Sequence, residues 1–425
     1  MNLTKYRETF ASLRPQIDAD IEAYRKADAT IRVVGGDGKA VPGAKIKLRQ
    51  DTHEFNFGCN CVKLGSLGVD NERYEMALAR LFNLVTTTFC LSVIEPNPGE
   101  WRFAEGSKEI FRRPPPDRVV KFAHKYGLRL KGQPLLAGSW FPEWAKDFSQ
   151  DEVRALYTDY FRRVAERYGS TFDIFDIVNE AFLHTKFPLY TEDCTYVDWA
   201  FEEAAKLFPA HTVMELNEAT DINYGKGAQR YFNLVSRILE KGIRLDSVGF
   251  QFHQFTENAG RKHINGEYLA LEEIYQTYRR FNELGVPLYI TEVTVPSNYT
   301  ALSRAEGEAI QAEVVDTLYR LWFSIPNMTG INYWNLSDGV NWLREGDCLG
   351  CLTDENVYEK PAYHALYQLL NREWKTKALL ESDDGGQASL RGFKGGYTGT
   401  VTVDNREVPF AFDLRDGCEP VTVVV

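Results

Sequence analysis

Lys125-Tyr-Gly-Leu-Arg-Leu130, Glu240-Lys-Gly-Ile-Arg-Leu245 and Glu283-Leu-Gly-Val-Pro-Leu288 are three versions of one joint. In each, a helix-periodic stretch stops at a glycine suited to the left-handed position after a helix, and an apolar strand begins at once. The same alternation extends to both sides. Strand candidates fall near 55–59, 84–90, 128–135, 173–179, 211–217, 246–252, 286–292 and 329–335. Helical stretches lie between them, for example Asp151 to Tyr168 and Gly225 to Lys241. Strands alternating with helices imply a parallel α/β sheet, and eight of them favour closure into a (β/α)8 TIM barrel. No phosphate loop or dinucleotide glycine fingerprint follows the first strand, which weighs against an open doubly wound sheet.

The flanks read differently. Thr4 to Lys26 has Leu3, Phe10, Leu13, Ile17, Ile21 and Tyr24 near the helical period. Thr30-Ile-Arg-Val-Val and Ala44-Lys-Ile-Lys-Leu-Arg flank a glycine-rich turn, the signature of a hairpin. After Trp374 comes the linker Ser382-Asp-Asp-Gly-Gly, then the alternating runs Thr400-Val-Thr-Val, Val408-Pro-Phe-Ala-Phe and Val421 to Val425. The expected organisation is an N-terminal helix and hairpin over 1–53, a barrel over 54–375 and a small all-β accessory domain over 376–425. A β unit that short is marginal alone, and the N-terminal hairpin is a candidate to complete its sheet.

A net charge of -11 across 425 residues weighs against nucleic acid or an anionic membrane as partner. No apolar run approaches a membrane span. The polar start, Met1-Asn-Leu-Thr-Lys-Tyr-Arg-Glu, has no signal-peptide core, so the expectation is an intracellular protein or one whose secretion signal has been removed. The 7 cysteines, an odd number without scaffold spacing, lean toward a reducing compartment. Oligomeric state is not legible.

Catalytic groups of such barrels sit at the carboxyl ends of strands. Here those ends carry Gln133, Asn179-Glu180, Asn217, Gln251-Phe-His253, Glu292 and Trp334. Either glutamate alone reads equally well as a structural charge, since acids are common where a strand passes into a loop. Together, on strands four and seven and with an amide before Glu180, they read as the carboxyl pair of a retaining glycosidase, which needs a proton donor and a nucleophile about 5 Å apart. Glu180 is the expected acid/base and Glu292 the nucleophile. Burial and the like charge of Glu292 are expected to keep Glu180 protonated near neutrality. Asn179 is placed to bond a sugar hydroxyl and His253 to bond the nucleophile. Trp140, Trp334 and Trp342 are candidate faces for sugar rings, beside Gln133, Asn217 and Gln251. No cofactor or metal is called for.

Asp176-Ile-Val-Asn-Glu180, Gly249-Phe-Gln-Phe-His253, Tyr289-Ile-Thr-Glu292 and Tyr333-Trp-Asn-Leu-Ser-Asp338, with Asn341-Trp342, resemble the ordered motifs of family 10 glycoside hydrolases. Phe82-Asn83, the Ile94-Glu-Pro to Trp101-Arg-Phe segment and Phe141-Pro-Glu-Trp144 belong to the same pattern, which spans about 54 to 374. The resemblance implies an endo-β-1,4-xylanase-like enzyme with Glu180 as acid/base, Glu292 as nucleophile, and Asn179, Gln251 and His253 beside them. It also shows where this chain departs. Family xylanases carry a Glu-Asn pair and a lysine after strand two; this chain has Thr86-Thr-Thr-Phe-Cys-Leu-Ser. Where the family has Gly-His and then Trp-His after strand three, this chain reads Gly132-Gln-Pro-Leu-Leu-Ala-Gly138. Charged sugar contacts contribute about 1.5–3 kcal/mol each, so the glycone subsites are expected to be rebuilt for an oligosaccharide or glycoconjugate other than plain xylan. The alternatives are a conventional endo-β-1,4-xylanase and a non-catalytic carbohydrate-binding barrel. Cys59, Cys61, Cys90, Cys348 and Cys351 fall beside neighbouring strands; they read as a thiolate metal site or, more simply, as buried thiols with one disulfide among them at most.

Overall fold

In the computed structural model of the chain, the three joints form as read. Gly127 takes φ 66°, and its N–H reaches back to the Ala123 and His124 carbonyls, ending helix Pro116–Tyr126 just before strand Arg129–Gln133. Gly242 and Gly285 adopt φ 67° and 71° at the equivalent places. A residue with a Cβ is strained there by about 1–2 kcal/mol. The structure describes residues 1–425 except Gly225, Val340 and Trp342, and except the side chains of Asp221, Asn223, Lys226, Leu343 and Arg344.

Among the described residues, Asn56–Asn60, Leu84–Thr88, Arg129–Gln133, Ile174–Asn179, Val213–Glu218, Ser247–His253, Leu288–Thr294 and Met328–Tyr333 run parallel as barrel strands one to eight. The eighth returns to the first from Gly330↔Asn56 to Tyr333↔Cys59, so the barrel is closed. Strands three and four pair only at Lys131↔Ile174 and Gly132↔Phe175, and the short strand Leu136–Ala137 continues the ladder against Val178 and Asn179. Outer helices include Gln150–Tyr168, started by a Ser149/Glu152 capping box, and Arg304–Ser324, started by Ser303/Glu306.

The barrel interior is layered by the two-residue period of its strands. Leu84, Ile174 and Tyr289 form an apolar layer near the strand starts. One step further, Lys131, Asp176 and Glu215 meet with no solvent exposure. The next step delivers Gln133, Asn179 and Asn217 at the carboxyl end. The strands bearing both glutamates shift register just before them, between Asp176 and Val178 and between Ile290 and Glu292. Such irregularities turn a side chain that regular pleating would aim elsewhere.

The amino-terminal helix, Leu3–Arg25, packs mainly on the barrel, with Glu22 in its last turns paired to Arg391 of the β unit. Its Arg7 forms a two-pronged ion pair with Glu313, and its Arg25 donates to the Phe323 carbonyl while lying over Phe55 and Phe323. The two alternating runs after it do not pair as a hairpin. Lys26–Val34 joins Gln387–Phe393 and Val421–Val424 in a three-stranded sheet. Lys45–Gln50 sits between Lys377–Glu381 and Gly395–Val403, with Arg406–Leu414 outside, in a four-stranded one. The first turn closes with a single bridge, Val34↔Ala40; a second turn at Gly43, φ 70°, then carries the chain across to the facing sheet. Ala27, Ala29, Ile31 and Val33 thereby pack against Ile46, Leu48, Leu390 and Val401 through one core. Pairing side by side would have left those faces in water. The 1–53 segment therefore divides, its helix joining the barrel and its strands joining 376–425 in a β sandwich.

His53, Phe55, Phe57, Phe323, Trp374 and Phe393 form the aromatic joint between barrel and sandwich. Phe393 ends a sandwich strand, and the others lie where strand one begins and where the helices before and after strand eight end. The sandwich is thus attached at the amino ends of the strands, opposite the face that carries the glutamates. No helix among the described residues is long and apolar enough to cross a membrane.

Candidate active site

The carboxyl ends of the strands surround a cavity of about 720 Å³ lined by Asn60, Thr88, Cys90, Arg113, Gln133, Trp140, Asn179, Glu180, Gln251, His253, Tyr268, Glu292 and Trp334, among others. Strand six organises its centre. Gln251 Nε2 donates to Glu180 Oε1 at 3.2 Å and to Asn179 Oδ1 at 3.2 Å. His253, two residues on and so on the same face, meets Glu292 Oε2 through Nε2 at 2.8 Å. Their Cα atoms are about 6.5 Å apart along a strand. One strand therefore holds both carboxyl groups.

Glu292 is nearly sealed, with 3% exposure. Besides His253 it accepts from Gln133 Nε2 and, at 3.0 Å, from Asn217 Nδ2. The other ring nitrogen of His253, Nδ1, lies 3.0 Å from the Thr294 hydroxyl. Asn217 is itself fixed, its Oδ1 accepting from Thr291 Oγ1 at 2.7 Å.

Glu180 sits at φ 56°, a left-handed conformation for a residue with a Cβ, at the step from strand four into its loop. The chain turns so tightly there that Ala181 N–H donates to the buried Glu218 carboxyl at the end of strand five. Burial, and then the charge of Glu180, push that carboxyl up to about 8. Glu180 is also reached by a residue the strand-end reading missed. His184 Nε2 lies 2.9 Å from Glu180 Oε2. Gly138 leaves room for it, since a Cβ there would stand 2.6 Å from His184 Cβ. Burial raises the Glu180 pKa, but the His184 and Gln251 hydrogen bonds and the charges of His184 and His253 outweigh it and hold the carboxyl below its usual range. The expectation that burial and Glu292 would keep Glu180 protonated near neutrality is corrected accordingly.

Of the other residues read from sequence, Asn179, Gln251, Trp140 and Trp334 line the cavity, with Trp334 edge-on to His253 at 5.4 Å. Asn217 is fully buried and spends its amide on Glu292, so it positions that carboxylate rather than touching sugar. Gln133 reaches the cavity but is likewise committed to Glu292. Trp342 lies outside the described residues. All seven cysteines are free, and burial pushes Cys61, Cys90 and Cys348 up to about 12. Among the described residues no cluster of His, Cys, Asp and Glu is arranged to hold a metal ion.

A closed parallel barrel with a glutamate on strand four, another on strand seven and a cavity over both defines a glycoside hydrolase of the two-carboxylate class. Comparison with known proteins agrees. Residues 54–369 match glycosyl hydrolase family 10. Endo-1,4-beta-xylanase B of Thermotoga neapolitana is 24% identical over 329 residues, covering 72% of this chain and 86% of that protein. Anti-sigma-I factor RsgI6 of Acetivibrio thermocellus is 25% identical over 393 residues, which are 92% of this chain and 47% of the relative, so this chain spans about half its length. The crystal structure of native xylanase 10B from Thermotoga maritima superposes with a TM-score of 0.62 at 22% identity, covering 75% of this chain and 96% of that one. The chain belongs to glycosyl hydrolase family 10. It is an O-glycosyl hydrolase of the retaining type, with a carbohydrate as its substrate.

Proposed function

We propose that the chain cleaves a β-linked oligosaccharide or glycoconjugate by double displacement, with Glu292 as nucleophile and Glu180 as acid/base, in a cavity whose sugar-binding wall is rebuilt relative to a xylanase. The observation that carries the reading is the pairing of the two carboxyl groups through Gln251 and His253 of a single strand. Glu292 attacks the anomeric carbon while Glu180 gives its proton to the departing oxygen; a water, deprotonated by Glu180, then opens the glycosyl-enzyme ester with the β configuration restored. Asn179, its Oδ1 taken by Gln251, offers its Nδ2–H groups to a sugar hydroxyl. The wall of Thr88, Cys90, Arg113, Trp140 and Glu345 supports the rebuilt subsites. A second reading, a conventional endo-β-1,4-xylanase, is favoured by the names of several relatives. Xylo-oligosaccharides and a panel of other β-linked oligosaccharides, compared by kcat/KM, separate the two: preference for plain xylotetraose sinks the rebuilt wall.

The His184 contact gives a pH prediction. Glu180 must be protonated in the first step, so kcat/KM falls as pH rises through its pKa, and His184 keeps that limb low. His184→Ala is expected to move the alkaline limb of the kcat/KM profile to higher pH. A profile superimposable on wild type would show that His184 does not act on Glu180.

A further inference from the structure

Two arginines follow each other beside the cavity, and they differ in their partners. Arg112 adopts φ 57°, is 2% exposed, and is neutralised by Glu345 at 2.8 Å while also donating to Asn335 at 2.7 Å. Glu345, which also lines the cavity, accepts from Asn335 Nδ2 at 3.0 Å through the same Oε2 that meets Arg112. Arg113, 9% exposed, lines the catalytic cavity next to Cys90 and lies over the Trp140 ring at 4.8 Å. Among the described residues it has no carboxylate partner of its own. Its Nη1 donates to the Arg112 carbonyl at 2.8 Å, and its buried Nε–H has no acceptor.

A buried guanidinium without an anion is costly unless something completes it. The catalytic glutamates are not its counter-charges. Its surroundings are Cys90, Arg112 and Glu345, while Glu180 answers to His184, Gln251 and His253. Arg113 also covers a face of Trp140, the aromatic surface a neutral sugar would stack on there. The wall at the end of strand two therefore presents a charge and a planar donor fork. That fork matches an oxyanion.

We infer that the substrate carries an anionic group, a uronic acid carboxylate or a sulfate ester, on the sugar lying against this wall, and that Arg113 is the residue that reads it. The inference rests on the hydrolase reading above and names its substrate class. Charge-assisted, two-pronged recognition in a desolvated site is worth about 10- to 100-fold in selectivity.

The test compares oligosaccharides of one backbone in four forms: neutral xylo-oligosaccharides, glucuronate-bearing ones, the latter after chemical reduction of the carboxyl, and O-sulfated ones. Wild type is expected to cleave the glucuronate-bearing or the sulfated form with a kcat/KM about 10- to 100-fold above the neutral and reduced forms, and which of the two wins identifies the anion. Arg113→Gln should bring the acidic-to-neutral ratio toward one, and Arg113→Lys should restore part of it; a purely structural arginine would lower all four rates together. The wild-type comparison of native and reduced forms needs no variant, so a folding defect leaves the test intact. Equal or faster cleavage of the neutral forms, or no cleavage of the acidic forms by an enzyme that cuts aryl β-glycosides, overturns the role of Arg113. If aryl β-glycosides are untouched as well, the hydrolase reading fails, and this inference falls with it.

Discussion

Glu292→Ala is expected to lower kcat on the order of 10⁴- to 10⁶-fold, the range met when a covalent nucleophile is deleted from an otherwise intact site. The surroundings make the prediction sharper than loss of activity alone. Gln133, Asn217 and His253 all point donors at the Glu292 carboxyl, and removing it leaves those donors converging on a slot of carboxylate size. Azide or formate fills such a slot, and attack from that face gives a product of inverted configuration. Glu180→Ala should instead cost about 10²- to 10⁴-fold, least for substrates whose leaving group departs without a proton. Azide then intercepts the glycosyl-enzyme after it forms, so the product keeps the β configuration. A fluorosugar inactivator should label Glu292. An α-azide product from Glu180→Ala, or a label on another residue, would reverse or abolish the assigned roles.

The parts of this molecule that were legible in sequence are those fixed by short-range periodicity. Glycines at 127, 242 and 285 mark helix ends whatever lies around them, and the alternation they punctuate leads to eight strands and to a list of what stands at each strand end. Glu180 and Glu292 follow from that list. His184 did not, because its contact with Glu180 depends on how the loop after strand four folds back and on the gap above Gly138. Arg113 sits in an irregular segment whose course depends on the left-handed turn at Arg112, which no local pattern announces. The hairpin reading failed for the opposite reason. Val34 and Ala40 do meet, but the partners that bury Lys26–Val34 lie at Gln387–Phe393 and Val421–Val424, at the far end of the chain. Local turn chemistry was correct there and the ladder beyond it was not local.

Lys131 was also invisible as anything but an alternating strand residue, and it supports the second large prediction. Its ammonium lies with Asp176 and Glu215 inside the barrel, none of the three exposed, and Ser247 Oγ donates to Glu215 at 2.6 Å. Burial holds the Asp176 carboxyl well above its usual range even with the lysine beside it. Lys131→Met removes the one cation and leaves two acids facing each other without water. Breaking a buried ion pair from one side costs about 3–5 kcal/mol, and that loss is expected in denaturant-induced unfolding of the variant near neutral pH. The pH dependence has a definite sign. An acid whose folded pKa is raised stabilises the fold most below its unfolded value, and that contribution disappears as pH rises through the folded value, so the variant should recover toward wild type on acidification. Adding Asp176→Asn and Glu215→Gln to Lys131→Met should restore most of the stability at neutral pH, because no uncompensated charge is then left inside. The effect should also reach the chemistry, since Asn217 bridges Asp176 at 3.5 Å and Glu292 at 3.0 Å. A Lys131→Met protein as stable as wild type at neutral pH, with Glu292 still reacting at the wild-type rate, would show that the buried cluster neither supports the barrel nor positions the nucleophile.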